Sequence, residues 1–297
     1  MLSPEGLTQR SLVMQRARAF FHHRKYIEVD TPIRLPVLIP EAEIVPLASE
    51  TWFLQTSPEL CMKRLLAQGC SQIFQICPCF RKGERGRLHQ EEFTMLEWYH
   101  TGWSYMELMN ECEQMIRQVA GKDSICRSGK QIPLRAPWQR LTVNDAFRRY
   151  AGTSAEEAVR TGEFDLLLVE KVEPKLGWKS PVFLYDYPIA LASLARPKPG
   201  CPELAERFEL YIGGIELANG FSELTDPVAQ RSRFNEEIRK VNIDSCDNTG
   251  KVPEKFLAAL EKLPDCAGIA LGLDRLFMLL LERDCLAEVL PFSEEDL

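Results

Sequence analysis

The stretch FRKGERGRLHQEEFTMLEWY, residues 80–99, decides the fold of this 297-residue chain. It begins with a loop in which four basic residues are mixed with carboxylates, and the apolar segments 71–79 and 93–99 lie on either side. Two apolar segments around a charged connection predict the two strands of a hairpin. A charged hairpin tip is usually a solvated loop, so this stretch alone assigns no function.

A second predicted hairpin brings two carboxylates together. Residues 207–218 contain a Gly-Gly pair between two strand-like segments, which is typical of a tight turn. With that turn, Tyr211 lies opposite Glu216, and Glu209 falls on the same face. Like charges on one face repel unless a cation or a base pairs with them. Glu209 and Glu216 are therefore candidate magnesium ligands beside a phosphate-bearing substrate, with surface carboxylates as the alternative.

A third segment, GIALGLDRLFMLL at residues 268–280, opens on glycines and continues as an apolar helix. Glycines before a helix let another chemical group approach the backbone closely. An arginine there, Arg275, can contact phosphate or stack on a base. Glycine-rich helix starts are common, so this segment indicates little by itself.

The rest of the chain predicts a mixed α+β domain. Apolar residues at helical spacing predict a helix over 10–24, and residues 26–32 predict a strand that stops at a proline. Ser104 and Glu107 have the spacing of a capping box at the start of another helix. Residues 121–180 are predicted to form a peripheral helical section.

The composition excludes several classes of protein. The chain is 45% hydrophobic and 27% charged, which is typical of a globular protein and not of a disordered, collagenous or coiled-coil one. Its net charge of −7 disfavours broad binding to nucleic-acid phosphates. The apolar run at 276–281 is too short to cross a bilayer, and the N-terminal residues lack the apolar core of a secretion signal.

The ten cysteines include no C-x-x-C pair, and the four histidines lie at no zinc-finger spacing. A metal site built from Cys and His is therefore not expected. In a chain of this size, we expect most of the cysteines to be buried small apolar residues in a reducing cytoplasm.

Taken in order, these segments resemble the catalytic core of a class II aminoacyl-tRNA synthetase of the lysyl type. Residues 10–32 resemble motif 1, the helix and strand of the dimer interface, residues 80–99 resemble motif 2, and residues 268–280 resemble motif 3. Between them, TSPEL (56–60) and ELANGFSEL (216–224) resemble segments of a lysine pocket. The resemblance implies an α+β fold with an antiparallel sheet flanked by helices, and a homodimer.

Within this family the sequence resembles the elongation factor P–(R)-β-lysine ligases, truncated paralogues of lysyl-tRNA synthetase. Motif 1 begins at about residue 10, which leaves no room for an N-terminal OB-fold anticodon-binding domain, so residues 1–297 are expected to form one catalytic domain. Ala270 stands where lysyl-tRNA synthetases have glycine and these ligases have alanine. The resemblance implies activation of (R)-β-lysine, or lysine, as an aminoacyl-adenylate with ATP and Mg²⁺. It also implies transfer to a lysine side chain of elongation factor P in the cytoplasm.

The resemblance assigns roles at the nucleotide end of the site. Arg81 matches the arginine that holds the α-phosphate and the amino-acid carboxylate. Phe93 matches the ring under adenine, while Arg275 covers the other face and reaches the γ-phosphate. Glu209 and Glu216 match the magnesium-binding carboxylates. The predicted catalytic residues are Arg81, Glu216 and Arg275, and the predicted ATP-binding residues are Arg81, Gly83, Glu84, Gln90, Phe93, Glu216, Leu217, Gly272 and Arg275.

At the amino-acid end, Glu59 and Glu97 match groups that bind the backbone-type amine. Tyr99 and Glu223 match groups that recognise the side-chain ammonium, and Ala270 matches the pocket floor. The predicted substrate-binding residues are Ser57, Pro58, Glu59, Glu97, Tyr99, Asn219, Phe221, Glu223 and Ala270.

Two parts of motif 2 depart from the family pattern. Lys82 and Gly83 stand where the family usually has Asn-Glu, and Glu84 is expected to replace the missing glutamate in its contact with ATP. Gln90 stands where the family usually has an adenine-contacting asparagine, so base recognition is expected to rely more on backbone groups.

Two other functions remain open at this point. One is a small ligase that charges tRNA or a small-molecule amine with lysine, although the acidic charge and the missing OB fold disfavour tRNA. The other is a catalytically inactive paralogue that senses an amino acid, which the presence of Arg81, Glu216 and Arg275 disfavours. ATP-dependent pyrophosphate exchange separates an enzyme from a sensor.

Overall fold

The structure is a computed structural model that describes residues 1–240, 251–293, 296 and 297. Among these residues, nine strands form a central sheet in which most neighbouring strands are antiparallel, which confirms the predicted α+β class. The two edge strands run parallel to their neighbours. The order across the sheet is β1 (Ile27–Glu28), β5 (Gln72–Phe80), β6 (Glu92–Thr101), β14 (Cys266–Gly272), β13 (Ile215–Ser222), β12 (Cys201–Ile212), β10 (Val182–Pro188) and β9 (Gln139–Thr142), with β11 (Pro197–Lys198) beside β12.

One face of the sheet is covered by helices that bury the main apolar core. These helices are α1 (Pro4–His23), α3 (Tyr105–Ala120) and α9 (Leu273–Leu280). The ring of Phe21 on α1 stacks on that of Phe74 on β5, with 4.7 Å between the ring centroids. Aromatic stacking of this kind adds to the area buried in the core.

A second apolar cluster lies on the opposite face, beneath α2 (Glu59–Ala67), α7 (Pro227–Lys240) and α8 (Glu254–Leu260). A small three-stranded sheet precedes α2, with the order β2 (Arg34–Leu35), β4 (Trp52–Leu54) and β3 (Ala48–Ser49). Within the described part of the chain, no helix is long and apolar enough to cross a membrane.

The side chains of strand β6 alternate between the apolar core on one face of the sheet and polar groups on the other. Successive side chains of a strand point to opposite faces of the sheet. Leu96 and Trp98 belong to the main core, whereas the buried Glu97 and Tyr99 lie on the other face. The sheet therefore carries apolar packing on one side and polar chemistry on the other.

Residues 121–180 do not form the helical section that the sequence predicts. β7 (Ser124–Arg127) and β8 (Lys130–Pro133) form a hairpin, and β9 joins the central sheet parallel to β10. Helices follow from Val143 onward, and their apolar residues form a separate core; they are α4 (Val143–Tyr150), α5 (Ala155–Thr161) and α6 (Phe164–Leu167). The helical prediction is correct only for this later part of the segment.

The bounds of the first two elements also differ from the prediction. α1 begins at Pro4, where the side chain of Ser3 caps the first turn, and not at residue 10. β1 has only two residues instead of the predicted span of 26–32. The predicted strand before the charged loop, the returning strand, the Gly-Gly hairpin and the capping box of α3 are confirmed.

Nine of the ten cysteines lie in the described residues, and Cys246 lies outside them. All nine are free thiols. The expectation that most are buried is wrong for the described residues, because five are half-buried and four are buried, namely Cys77, Cys79, Cys112 and Cys266.

An ion pair with a buried carboxylate joins the three segments that resemble motifs 1, 2 and 3. Asp274, in the first turn of α9, lies 2.7 Å from the guanidinium of Arg10 on α1. Its other carboxylate oxygen accepts a 2.6 Å hydrogen bond from the backbone N–H of Thr94 on β6. The side chain of Asp274 is 4% exposed and that of Arg10 is 14% exposed. One carboxylate therefore connects the first helix, the returning strand and the C-terminal helix.

We expect Asp274→Asn to lower the free energy of unfolding by roughly 3–5 kcal/mol, because it leaves the buried Arg10 guanidinium without its counter-charge. Urea unfolding measures this difference. Asp284→Asn, at an exposed position, is the matched control and should change stability by less than about 0.5 kcal/mol. Equal stability of the two variants would contradict a structural role for Asp274.

Candidate active site

A cavity of about 270 Å³ opens on the face of the sheet that carries Glu97 and Tyr99. It brings together most of the residues that the sequence predicts for the site, namely Ser57, Glu59, Arg81, Glu84, Gln90, Phe93, Glu97, Tyr99, Glu216, Leu217, Asn219, Phe221, Ala270, Gly272 and Arg275. The other predicted residues are not among those that line it: Pro58, Gly83, Glu209 and Glu223.

Arg275 is held in the cavity wall by groups from two other elements. Its guanidinium donates hydrogen bonds to the carbonyl of Leu88 (3.2 Å) and the carbonyl of Glu216 (2.8 Å). It also lies 2.8 Å from Nε2 of His89. Burial and the charge of Arg275 lower the pKa of His89, so the neutral ring can accept this hydrogen bond near pH 7. Arg275 therefore joins the 80–92 loop to β13.

The charged loop is shaped by its own side chains. The backbone N–H of Gly83 donates a 2.7 Å hydrogen bond to the carboxylate of Glu91. The φ of Gly83 is +80°, a conformation that favours glycine. Arg81 and Glu84 line the cavity 3.7 Å apart, and the Arg81 guanidinium lies 5.2 Å from the centroid of the Phe93 ring. Cationic and aromatic surfaces therefore meet in this part of the wall.

The two predicted metal carboxylates have different surroundings. Tyr211 pairs with Glu216 across the hairpin, as the Gly-Gly turn predicts. Glu209 is buried and accepts hydrogen bonds from the hydroxyls of Tyr187 (2.5 Å) and Tyr211 (2.6 Å), and it forms an ion pair with Arg207 (2.6 Å). Glu216 faces the cavity with 37% of its side chain exposed. Burial and the nearby charge of Glu209 raise the pKa of Glu216 to about 7.

The amino-acid end of the cavity centres on the buried carboxylate of Glu97. Its two oxygens accept hydrogen bonds from the hydroxyls of Ser57 (2.6 Å) and Tyr99 (2.8 Å). Burial and the charge of Glu59 raise the pKa of Glu97 to about 8, although both hydrogen bonds act in the opposite direction. A cationic ligand at this end of the cavity would stabilise the ionised form of Glu97 and so lower this pKa.

Gly268 makes room for two side chains of this end. A Cβ atom at this position would lie 2.1 Å from Cε1 of Tyr99 and 2.5 Å from Oε1 of Glu223. Such contacts are too close for any other residue, so Gly268 is required where it stands. Ala270, two residues along β14, pairs with Glu97 of β6, and both line the cavity.

Glu223 lies behind the cavity wall and has a partner that the sequence analysis missed. Its carboxylate forms an ion pair with Lys63 of α2, and the side chains are 0% and 2% exposed. The same ammonium pairs with Glu59, which does line the cavity. A lysine four residues after a glutamate is the spacing of a helical ion pair, so the signal was present. Glu41 also lines the cavity and was missed, because it lies in a segment without a recognisable pattern.

The chain is also similar to known proteins. The sequence model of the family described as tRNA synthetases class II (D, K and N) matches residues 3–296. The chain belongs to this family. The resemblance that the three motifs indicate is thereby confirmed.

Relatives of this class II synthetase-like chain include several proteins named elongation factor P–(R)-β-lysine ligase. The one from Edwardsiella ictaluri is 38% identical, over 97% of this chain and 94% of the relative. The one from Pectobacterium atrosepticum is 38% identical, over 99% of this chain and 96% of the relative. The one from Klebsiella pneumoniae is 37% identical, over 97% and 94% respectively. The similarity therefore extends over nearly the whole length of this chain and of each relative.

The raised pKa of Glu97 makes the stability of the free protein depend on pH. Between the ordinary carboxyl pKa of 4.5 and about 8, the folded state binds a proton that the unfolded state has lost, so stability falls as pH rises. We expect this contribution to be about 1.4 kcal/mol per pH unit and to disappear in Glu97→Gln.

Urea unfolding of the parent and the variant between pH 5.5 and pH 8, without ligands, measures the two slopes. Glu92→Gln, at an exposed position of the same strand, should keep the parent slope. A parent and a Glu97→Gln variant with identical slopes would show that Glu97 is ionised in the free protein.

Proposed function

We propose that this protein is an ATP-dependent ligase that activates (R)-β-lysine, or lysine, as an aminoacyl-adenylate and transfers it to a lysine side chain of elongation factor P. The observation that carries the proposal is the division of one cavity into two chemical parts. Arg81, Phe93 and Arg275 line a part suited to a nucleotide, whereas Glu59 and Glu97 line a part suited to ammonium groups.

In the nucleotide part, the adenine would lie between the Phe93 ring and the Arg275 guanidinium. Arginine suits this position because its planar cation can stack on a base and bind phosphate. Gln90 and Glu84 would contact the nucleotide from the loop, and Leu217 and Gly272 from the strands. Gly83 would act through the shape of the loop, since its N–H is bound to Glu91.

In the amino-acid part, Glu59 and Glu97 would bind the backbone-type amine, and Tyr99 the side-chain ammonium. Glu223 would act from behind Tyr99 and Gly268, both of which line the cavity. Ser57 would keep its hydrogen bond to Glu97, and Pro58 begins the helix that presents Glu59. Asn219, Phe221 and Ala270 would shape the remaining wall.

The reaction needs no covalent enzyme intermediate. An oxygen of the amino-acid carboxylate attacks the α-phosphorus, the P–O bond to pyrophosphate breaks, and the aminoacyl-adenylate forms. The neutral acceptor amine then attacks the acyl carbon, the C–O bond to AMP breaks, and the amine proton leaves. Arg81 would hold the two reactants together, and such positioning supplies about 7–11 kcal/mol of a barrier of this kind.

The residues present fit a Mg²⁺ ion in part. Within the described residues no group of three His, Cys, Asp or Glu could hold a metal, but Mg²⁺ usually needs only one or two carboxylates together with substrate phosphates. Glu216 faces the cavity and would be the direct ligand, whereas Glu209 is already bound by two tyrosines and an arginine. When bound, the ion would neutralise charge on the phosphates.

The acceptor is proposed from the relatives. They are named for elongation factor P and (R)-β-lysine, and the identity of 37–38% extends over nearly their whole length. The cavity adds a physical reason, because the carboxylates of Glu59 and Glu97 both line it and favour a substrate with more than one ammonium group. A cytoplasmic location, where elongation factor P acts, is part of the same proposal.

The test is the intact mass of elongation factor P from the same organism after incubation with this protein, ATP, Mg²⁺ and either (R)-β-lysine or α-lysine. We expect a gain of one lysyl residue, larger with the β isomer and absent with the Arg275→Ala variant. No gain while ATP–pyrophosphate exchange persists would overturn the acceptor in favour of tRNA or a small amine. No exchange with either isomer would favour an amino-acid sensor.

We also propose a homodimer formed through the first helix and strand. Four large apolar side chains between α1 and β2 are exposed by 41–54% of their surface: Leu7, Leu12, Ile27 and Ile33. Exposed apolar side chains that meet in one patch mark a protein–protein interface, and the proposal is that these four do so. We expect sedimentation velocity to give a dimer for the parent chain and a monomer for Ile27→Asp, whereas a monomeric parent would contradict the proposal.

A further inference from the structure

Lys63 is the buried cation of the amino-acid end. It lies on the same helix as Glu59, four residues further on, and its ammonium forms ion pairs with Glu59 and Glu223. Aromatic rings complete its surroundings, with the ammonium 5.2 Å from the ring centroid of Phe221 and 5.8 Å from that of Phe256. Its side chain is 2% exposed, so solvent supplies little of its solvation.

The lysine keeps its proton in this environment. Burial by itself would lower the pKa of Lys63, but the charges of Glu223 and Glu59 outweigh it and hold the pKa above the ordinary value. The other titratable groups that face this cluster are Glu41 beside Glu59, Glu97 and Tyr99 of β6, and Cys266 of β14. Among these groups Lys63 is the cation, and the carboxylates outnumber it.

The number of charges in the pocket explains why a lysine lies beside these carboxylates. Three carboxylates surround Lys63 and the predicted amine sites: Glu97 and Glu223 are buried, and the side chain of Glu59 is 12% exposed. Glu41 lies beyond Glu59 and is near Arg81 and Arg207, which balance its charge. A lysine-type substrate carries two ammonium groups at neutral pH, one on the backbone-type amine and one on the side chain. With Lys63 the cations number three, so each of the three carboxylates has a counter-charge when the substrate is bound.

We propose that Lys63 is a positioning and specificity residue, whose ammonium fixes the Glu59 and Glu223 carboxylates and supplies the third positive charge of a pocket built for a substrate with two. Lys63 does not contact the substrate itself. It acts by holding the carboxylates of Glu59 and Glu223 in place. Because Glu59 faces the cavity and Glu223 does not, Lys63 links the carboxylate at the wall to the one behind it. This inference rests on the proposed function, since the count assumes a diamino acid.

Removing the ammonium should make substrate binding depend on a proton. In Lys63→Met, which keeps the four-atom apolar stem of the side chain but not the charged nitrogen, the pocket with substrate has three carboxylates and two ammonium groups. One carboxylate must then bind a proton, which becomes harder as pH rises. We therefore expect the KM for the amino acid to rise about ten- to a hundredfold near neutral pH, and the defect to grow between pH 6.5 and pH 8.5. The KM for ATP should change little.

Chemical rescue provides a second readout. Lys63→Ala should regain amino-acid activation when propylammonium is added, because the small cation can replace the missing ammonium beside Glu59 and Glu223. Propanol, which has a similar size and no charge, should give no rescue. A role limited to filling space would give equal rescue by both compounds.

The assay is ATP–pyrophosphate exchange with lysine and (R)-β-lysine. The matched control is Lys122→Met, which removes a half-buried lysine that pairs with Glu282 away from the cavity, and which should leave both KM values unchanged. A pH-independent defect in Lys63→Met, or equal changes in the KM for ATP and for the amino acid, would overturn the inference. Absence of exchange in the parent chain would instead overturn the proposed function.

If Lys63→Met fails to fold, the double variant Lys63→Met with Glu223→Gln provides the test instead. It removes one cation and one carboxylate, so two carboxylates again face two ammonium groups. We expect it to fold and to have a raised KM for the amino acid whose size no longer grows with pH. A defect that still grows with pH in the double variant would contradict the charge count.

Discussion

The contact of Asp274 with Arg10 and the Thr94 N–H fixes the frame on which the site is built. It prevents the start of α9 from moving relative to β6. The next residue along α9 is Arg275, and the residue before Thr94 is Phe93, so the two groups assigned to the faces of adenine are direct neighbours of the residues in this contact. A change at the buried carboxylate would therefore reach the nucleotide part of the cavity through one peptide unit on each side.

The amino-acid part of the cavity depends on a second constraint, the desolvation of carboxylates. Ser57 and Tyr99 donate hydrogen bonds to Glu97, yet burial and the charge of Glu59 still raise the pKa of Glu97 to about 8. The free protein therefore keeps a proton on this carboxyl near neutral pH. An ammonium group of the substrate can replace that proton. Part of the binding energy then comes from giving the buried Glu97 carboxylate the counter-charge that it lacks in the free protein.

The sequence predicts the parts of the fold that have a local signal. The Gly-Gly turn sets the pairing of Tyr211 with Glu216, and the charged loop between apolar segments sets the β5–β6 hairpin. It does not predict β9, because a four-residue edge strand looks like a loop until its partner β10 is known. Lys63 stands at helical ion-pair spacing from Glu59, but its second partner, Glu223, is 160 residues away and only the folded chain brings those two together.

We propose that one cavity binds an aminoacyl-adenylate with its adenine near Phe93 and its ammonium groups near Glu97. The most direct measurement is a crystal structure of the protein with a non-hydrolysable sulfamoyl analogue of lysyl-adenylate. We expect adenine between Phe93 and Arg275, and the side-chain ammonium at the Tyr99 end of the cavity. A ligand bound in the opposite orientation, or bound outside this cavity, would contradict the proposal.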